Sequence, residues 1–439
     1  MTPILRILAS IVARHGARIL RISALIIAGE MIFALPFHTQ RFFRPTLLEA
    51  FNLSNTQLGD MFAAYGLTAM VSYLIGGPFA DRYSARLLIA GSLVLTAIGG
   101  LYMATFPGVW QMTALYGYWG VTTIFFFWAA LIKATRDWGG STSQGTAFGI
   151  LDGGRGLAAA VFGALAVGIL ALYLPTESDL VTDVARKAGL RSIILYYSAL
   201  TLVAAGIVWM VIPNSEKTVP ERHNPFANLP AVVRRPLVWV QAAIIICAYC
   251  GYKGLDNYAL YAVQVLSVNE IDAARLATYG AYVRPVACVV AGLVADRFDS
   301  ARSIAVLFSM LVASYGVLAV ATPDTATLST IYANLFVTFF AVFALRGIYY
   351  ALLEETKTPK HLTGASVAVI AFVGYTPEAF FAPIAGRILD ANPGIQGHLD
   401  FFVFLAAIAV AGILMTVLLI WLKRRQRNRI AAESYSTGS

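Results

Sequence analysis

Apolar residues run along this chain in long blocks that polar connections separate. Windows of about 20 apolar residues, the length that an α-helix needs to cross a bilayer, recur throughout and predict twelve membrane-spanning helices. The windows cover residues 21–49, 57–80, 86–106, 109–133, 144–171, 191–213, 236–265, 272–295, 303–322, 327–352, 362–389 and 399–422. The longest polar connection follows the sixth window. The pattern predicts an all-α membrane protein with six-helix halves at 1–213 and 236–439, joined by a linker at 214–235.

Composition agrees with an integral membrane protein. Hydrophobic residues make up 59% of the 439 positions and charged residues 13%, and the mean hydropathy is +0.71, all of which are unusual for a soluble domain. The net charge of +9 comes from basic residues in short loops rather than on one amphipathic face, so we expect no nucleic-acid partner. The three cysteines, Cys247, Cys250 and Cys288, lie within predicted helices. We interpret them as packing residues and expect no metal site.

Basic residues also indicate the orientation. The basic start of the chain runs into a full-length helix without a small-residue cleavage site, so we interpret it as an uncleaved N-terminus. Of the 32 Lys and Arg residues, 21 fall on the side of the N-terminus and five on the other side. The positive-inside rule then predicts that both termini, the linker and both Asp-Arg loops, at 81–82 and 296–297, are cytoplasmic. We expect the protein to lie in the inner membrane. The basic tail, 423–429, is expected to rest against anionic lipid.

One polar motif occurs twice. The first copy is GGPFADRYSAR at residues 76–86 and the second is GLVADRFDSAR at residues 292–302, so that Asp81 corresponds to Asp296 at an offset of 215. We interpret Asp299 as one extra residue in the second copy. Two copies half a chain apart, each in a loop after an apolar window, indicate an internal duplication.

At these loops the sequence resembles the major facilitator superfamily of secondary transporters. The resemblance covers both halves and implies two pseudo-symmetric six-helix bundles. In that superfamily similar motifs act as a cytoplasmic latch that favours the outward-open state. The resemblance assigns this role to Gly77, Asp81, Arg82, Arg86, Gly292, Asp296 and Arg297. The alternative is a solvated turn that only fixes the topology.

Charged residues within the predicted spans are the candidate site. A charge that faces lipid costs about 2.5–3.5 kcal/mol on insertion scales, so these residues should face an interior or a partner. The basic ones are Arg41, Arg44, Arg155, Lys253, Arg284 and Arg346, with His38 as a further polar group, and the acidic ones are Glu30, Asp152, Asp256 and Glu378. The excess of basic groups favours an anionic ligand.

The same offset relates some of these residues. Subtracting 215 takes Lys253 to His38 and Asp256 to Arg41. In a transporter built from two parallel repeats, such positions face each other near the midplane, where substrates bind. Local pairing is the alternative, because Asp152 with Arg155, and Lys253 with Asp256, are spaced i and i+3.

Two further segments, 51–82 and 249–266, resemble the organophosphate:phosphate antiporter branch. That branch carries a basic residue on its first and its seventh helix that clamps a phosphoryl group. The resemblance implies that His38 stands at the first of these positions, with Arg41 one turn away. The second falls on Gly251, two residues before Lys253, and Arg155 stands where the branch has a histidine in its fifth helix.

These observations predict a secondary transporter of a small organic anion, phosphorylated, carboxylated or sulfonated, by exchange or with protons. The expected substrate ligands are His38, Arg41, Arg155, Lys253 and Arg346, and the expected coupling acids are Glu30, Asp152, Asp256 and Glu378. The alternatives are an exporter of drugs or amphiphilic lipids and a membrane sensor that does not transport. No nucleotide-binding loop, nucleophile–base pair or metal-ligand spacing is visible, so we expect neither an enzyme nor a cofactor. We expect a monomer surrounded by membrane lipids.

Overall fold

The structure, a computed structural model, describes residues 3–140, 144–214, 229–352 and 360–436. Some side chains in these ranges lie outside the description, among them those of residues 3–15, Asp81 and Asp296. Every regular element in the described ranges is helical. The predicted all-α fold is therefore confirmed.

Each predicted window falls on helical structure, and we number the spans accordingly. The first span consists of Pro3–Met31, Ala34–His38, Thr39–Phe42 and Arg44–Phe51, the second of Asn55–Arg82, the third of Ala85–Met103, the fourth of Val109–Gly120, Val121–Phe126 and Trp128–Gly139, the fifth of Gln144–Ala171 and the sixth of Asp183–Val211.

The second half repeats this order. The seventh span consists of Pro236–Gly254, Leu255–Asn257 and Tyr258–Gln264, the eighth of Glu270–Phe298, the ninth of Ser300–Leu318, the tenth of Leu328–Ile348 and Tyr349–Ala351, the eleventh of Lys360–Gly374 and Pro377–Ala391, and the twelfth of Ile395–Ser436. Among the described residues, 10 helices are by themselves long and apolar enough to cross a membrane, and the first span, bent by 44°, is an eleventh. The second span is a 28-residue helix, which is long enough to cross as well.

The chain forms two compact units. Unit 1 contains Met1–Glu221 together with Val268–Tyr282, and unit 2 contains Arg222–Ser267 together with Val283–Ser439. The eighth span therefore contributes residues to both units. Most of the predicted linker, 215–228, lies outside the described residues, and the predicted domain limits stay a prediction.

The helix bounds keep the offset found in the sequence. The second and eighth spans begin 215 residues apart, and the third and ninth both begin and end 215 residues apart. Ser84 caps the third span by accepting from Leu87 N, and Asp299 caps the ninth by accepting from Arg302 N. Asp299 thus takes the place of Ser84, and the interpretation of Asp299 as an extra residue is wrong.

Several spans are interrupted in the middle. π-helical turns occur at Ala34–His38 and Val121–Phe126, and 3₁₀ turns at Leu255–Asn257 and Tyr349–Ala351. These four breaks fall in the first, fourth, seventh and tenth spans, and the eleventh breaks just before Pro377. Such turns change which side chains share a face. The turn at Ala34–His38 contains His38 and the turn at Leu255–Asn257 contains Asp256, and both residues belong to the clusters described next.

Candidate functional site

A buried charge cluster lies in unit 1. The carboxylate of Glu30 has Oε1 at 3.0 Å from His38 Nε2 and Oε2 at 3.1 Å from Arg155 Nε, which donates to it. All three side chains are buried. The cluster therefore joins three of the predicted site residues, from the first and fifth spans, around one acid.

The break in the first span makes this contact possible. Glu30 and His38 are eight residues apart, which corresponds to about 12 Å along a regular α-helix. The helix ends at Met31, and the segment from Ala34, which includes the π-turn and Pro36, is bent by 44° from it. The ring of His38 also packs edge-on against Tyr197, with centroids 5.8 Å apart.

Arg155 has further neighbours. Asp152 Oδ1 lies 3.9 Å from its Nη1, and the Asp152 side chain is 46% exposed. The guanidinium also lies over the rings of Phe33 and Trp128, at 5.5 and 5.8 Å. The local i and i+3 pair therefore exists, but Glu30 is the closer acid.

The other predicted basic residues of the first span lie beyond the π-turn. Arg44 is buried and donates to Gln40 Oε1 and to Asn55 Oδ1, both at 3.0 Å. Arg41 is partly buried on the short helix Thr39–Phe42. Arg44 thus makes hydrogen bonds to two neutral amides.

Unit 2 holds a second buried cluster. Lys253 Nζ lies 3.1 Å from Asp256 Oδ2 and 3.3 Å from Glu378 Oε2, and its side chain is 1% exposed. The hydroxyl of Tyr249 donates to the other oxygen of Glu378. The predicted local pair of Lys253 and Asp256 is present, and the eleventh span adds a second acid to it.

Tyrosines surround this cluster. The guanidinium of Arg346 lies 4.0 Å from the ring centroid of Tyr252 and 5.8 Å from that of Tyr249. The hydroxyls of Tyr349 and Tyr350 lie 3.2 and 3.0 Å from that of Tyr375. The sequence does not single these tyrosines out, because a tyrosine in a span is equally typical of helix packing and of interfacial belts.

The two clusters have opposite polarity. In unit 1 the acid, Glu30, is on the first span of its half and the base, Arg155, is on the fifth. In unit 2 the base, Lys253, is on the first span of its half and the acid, Glu378, is on the fifth. Each pair therefore joins the first and the fifth span of its half, although the residues themselves are not related by the offset of 215. The described residues contain no group of three or more His, Cys, Asp or Glu side chains arranged to hold a metal ion.

The predicted latch residues lie at span ends. Arg82 is exposed, Arg86 lies over the ring of Trp209 at 4.7 Å, and Arg297 lies over that of Phe298 at 5.7 Å. The space beside Gly77 and Gly292 is open. The side chains of Asp81 and Asp296 lie outside the described residues.

Sequence reasoning missed one contact of this loop. Lys133, in the last helix of the fourth span, donates to the carbonyl of Ala80 at 3.3 Å. A lysine that binds a carbonyl at a helix C-terminus is favourable. The Ala80 carbonyl is one residue before Asp81.

Comparison with known proteins agrees with this architecture. A family model described as Major Facilitator Superfamily matches residues 26–382. Inner membrane protein YihN of Escherichia coli (strain K12) is 26% identical over 428 residues, covering 94% of this chain and 98% of the relative. The probable nitrate/nitrite antiporter NarK1 of Thermus thermophilus is 25% identical over 269 residues, covering 61% of this chain and 59% of the relative.

Solved structures share the fold. A bacterial homolog of the human lysosomal transporter Spinster superposes with a TM-score of 0.71 at 15% identity, covering 92% of this chain and 98% of that one. The nucleoside transporter NupG gives a TM-score of 0.69 at 10% identity, covering 91% of this chain and 99% of that one. At these identities the likeness concerns the fold alone.

Proposed function

Because the chain belongs to the Major Facilitator Superfamily and is a membrane transporter of that type, we propose that it moves a small organic anion. The anion is phosphorylated, carboxylated or sulfonated, and the energy comes from anion exchange or from coupled protons. The observation that carries this proposal is the position of Lys253 between Asp256 and Glu378. The resemblance to the organophosphate:phosphate antiporter branch supports the same class of substrate.

A substrate anion can replace one of the two acids as the counter-charge of Lys253. A buried ammonium needs a counter-charge, because an unpaired charge in a low-dielectric site is strongly destabilising. Glu378 reaches Lys253 from another span, whereas Asp256 lies one turn away on the same span. Glu378 is therefore the acid that a substrate anion replaces.

Arg346 supplies a second positive charge on the same side of unit 2. Its guanidinium lies over the ring of Tyr252. The neighbouring Tyr249 donates a hydrogen bond to Glu378. A guanidinium offers the paired donors that carboxylates, sulfonates and phosphoryl groups accept. We assign Lys253 and Arg346 as the main ligands in unit 2.

The remaining ligands of the proposal come from the first half. Arg155 is the base paired with Glu30, and the offset of 215 relates His38 to Lys253 and Arg41 to Asp256. This correspondence supports His38, Arg41 and Arg155 as further residues that contact the anion. The repeated loops are the proposed latch.

Proton coupling follows from the same exchange of partners. An acid that loses its cation to the substrate is left with an uncompensated negative charge, and protonation removes that charge. We propose Glu378, with Asp256, Glu30 and Asp152 as the other candidates, as the coupling group. By linkage, a proton taken up on binding makes the affinity rise as pH falls.

The test starts with a thermal-shift screen of phosphorylated, carboxylated and sulfonated metabolites on the purified protein, since a ligand that binds the folded state raises its midpoint. For the best anion we expect tighter binding at pH 5 than at pH 8. We expect Glu378→Gln to flatten this dependence. Lys253→Ala should weaken binding by more than Lys253→Arg, and the exposed Lys187→Ala is the matched control.

Two results contradict the proposal at different points. Proton coupling is wrong if the affinity does not depend on pH in the wild type or in Glu378→Gln, Asp256→Asn, Glu30→Gln and Asp152→Asn. Anion exchange is then the better account. Binding of neutral or cationic compounds, with no effect of Lys253→Ala, removes the anion itself.

A further inference from the structure

An ion pair outside both clusters involves the first residue of the eighth span. Glu270 Oε1 accepts from Arg186 Nε at 2.9 Å, and Arg186 Nη2 lies 2.9 Å from the same oxygen. The hydroxyl of Thr46 donates to the other carboxylate oxygen. The side chains of Glu270 and Arg186 are only 11% and 15% exposed. A shielded, charge-assisted contact of this kind is among the stronger polar interactions in proteins.

The three residues come from different parts of the chain. Thr46 lies near the end of the first span, Arg186 near the start of the sixth and Glu270 at the start of the eighth. Counting crossings from the N-terminus, all three ends lie on the membrane face opposite to it. The contact therefore belongs to the face away from the repeated Asp-Arg loops.

The first turns of the eighth span, which carry Glu270, group with unit 1 although the helix itself is continuous. Val268–Tyr282 belongs to unit 1, whereas the eighth span from Val283 onward belongs to unit 2. Pro285 follows within the helix just after this division. Because proline lacks an amide hydrogen and disturbs the preceding turn, the helix has a weak point next to the division.

Packing adds to the ion pair. Thr278, one of the residues of this segment, is fully buried. Its methyl group lies 3.4 Å from the position that a Cβ on Gly163 would take, and the ring of Phe42 is closer still. The first part of the eighth span thus packs against the fifth and first spans.

The corresponding contact at the start of the second span lies within one half, whereas this one joins the two halves. The position 215 residues before Glu270 is Asn55, which also begins a span and also accepts from an arginine, Arg44, at 3.0 Å. Arg44 belongs to the same half as Asn55, whereas Arg186 belongs to the first half and Glu270 to the second. The acid at position 270 therefore gains an arginine from across the repeat.

We propose that Arg186, Glu270 and Thr46 form a clasp that fixes the first turns of the eighth span to unit 1 in one state of the transport cycle and releases them in another. A transporter of this fold works by moving one bundle against the other, and this contact joins an arginine and a threonine of the first half to an acid of the second. The clasp holds the shared segment until the cycle breaks it. The clasp affects the movement of the eighth span and does not depend on which substrate is carried.

The experiment measures exposure of the buried segment. Thr278→Cys is introduced into a variant in which Cys247, Cys250 and Cys288 are replaced by alanine. This protein is reconstituted into lipid nanodiscs. Labelling by a hydrophilic maleimide is slow while the clasp is closed. We expect Glu270→Gln and Arg186→Gln each to raise the labelling rate about tenfold, the factor that losing one charged hydrogen bond implies. Exchange of the pair, Arg186→Glu with Glu270→Arg, should return the rate toward its original value.

The control lies on the same segment. Arg275→Gln breaks the Arg275–Asp272 pair, whose Nη1 to Oδ1 distance is 2.8 Å and whose side chains are about half exposed, and it should leave the labelling rate unchanged. Equal labelling with and without the clasp charges overturns the proposal, as does an exchanged pair that labels as fast as the single variants. If a single variant fails to fold, the labelling rates of Thr46→Val and of the exchanged pair test the clasp instead. Thr46→Val should raise the rate about threefold.

Discussion

At the scale of single residues, Glu30 and Glu378 each have a basic partner on another span. Glu30 joins His38 and Arg155, and Glu378 joins Tyr249 and Lys253. Removing one partner of a buried pair leaves the other charge uncompensated, which is strongly destabilising. Each acid therefore contributes to folding as well as to the proposed transport.

Glu30→Gln should lower the free energy of unfolding by about 3 kcal/mol, because Arg155 loses its buried counter-charge. Asp152→Asn removes an acid that is half exposed and 3.9 Å from the same arginine, and should change it by less than about 1 kcal/mol. Denaturant unfolding of the detergent-solubilised protein, followed by circular dichroism, measures both. Similar losses in the two variants would mean that Glu30 is not the acid that compensates Arg155.

The sequence could predict only the local half of each cluster. Asp152 with Arg155, and Lys253 with Asp256, follow from helix geometry at a spacing of three residues. The pair of Arg155 with Glu30 spans 125 residues, and no local rule links them. Arg186 and Glu270 were missed because both fall in predicted loops, where charges are normally solvated.

At the scale of elements, hydropathy predicted the spans but not their breaks. A window of apolar residues determines whether a helix enters the membrane, so all twelve windows fall on helices. A π-turn adds a residue to a helix without a strong local signal, and its position depends on packing. Pro36 lies in one such turn, yet Pro285 lies within a continuous helix, so proline alone is not a reliable guide.

Packing of the fourth span on the second gives a prediction at this scale. A Cβ at Gly120 would collide with the hydroxyl of Thr68 and with the carbonyl of Tyr65, whereas one at Gly117 would meet Thr68 Cγ2 at an ordinary 3.7 Å. Gly120→Ala should therefore destabilise the protein by about 2–3 kcal/mol, as overpacking does. Thermal unfolding of both variants measures the difference.

Gly117→Ala is the matched control, three residues away on the same helix. Its expected change is below about 1 kcal/mol, since alanine favours a helix over glycine by up to that amount. The prediction fails if Gly120→Ala is as stable as Gly117→Ala.

At the scale of the whole molecule, the duplication is visible in sequence and structure alike. The motif at 76–86 returns at 292–302, and the third and ninth spans keep the same offset at both ends. The orientation of the molecule is predicted from the loop charges.

Reporter fusions test the orientation. Green fluorescent protein at the C-terminus should fluoresce, and alkaline phosphatase there should be inactive, because 21 of 32 basic residues lie on the predicted cytoplasmic side. Alkaline phosphatase joined after residue 107, between the third and fourth spans, should be active. Active phosphatase at the C-terminus would reverse the assignment.

The opposite polarity of the two clusters also limits how such a chain can recombine. A crossover between residues 30 and 155, or between 253 and 378, with a relative that lacks the matching acid or base leaves one member of a pair alone. Inheritance of one member without the other leaves a buried charge alone, whereas exchange of a complete half preserves both pairs. Viable chimeras should therefore have few junctions between residues 30 and 155 or between 253 and 378, and a junction in the segment 214–235 should be tolerated where the relative also supplies the partner of Arg186 or Glu270.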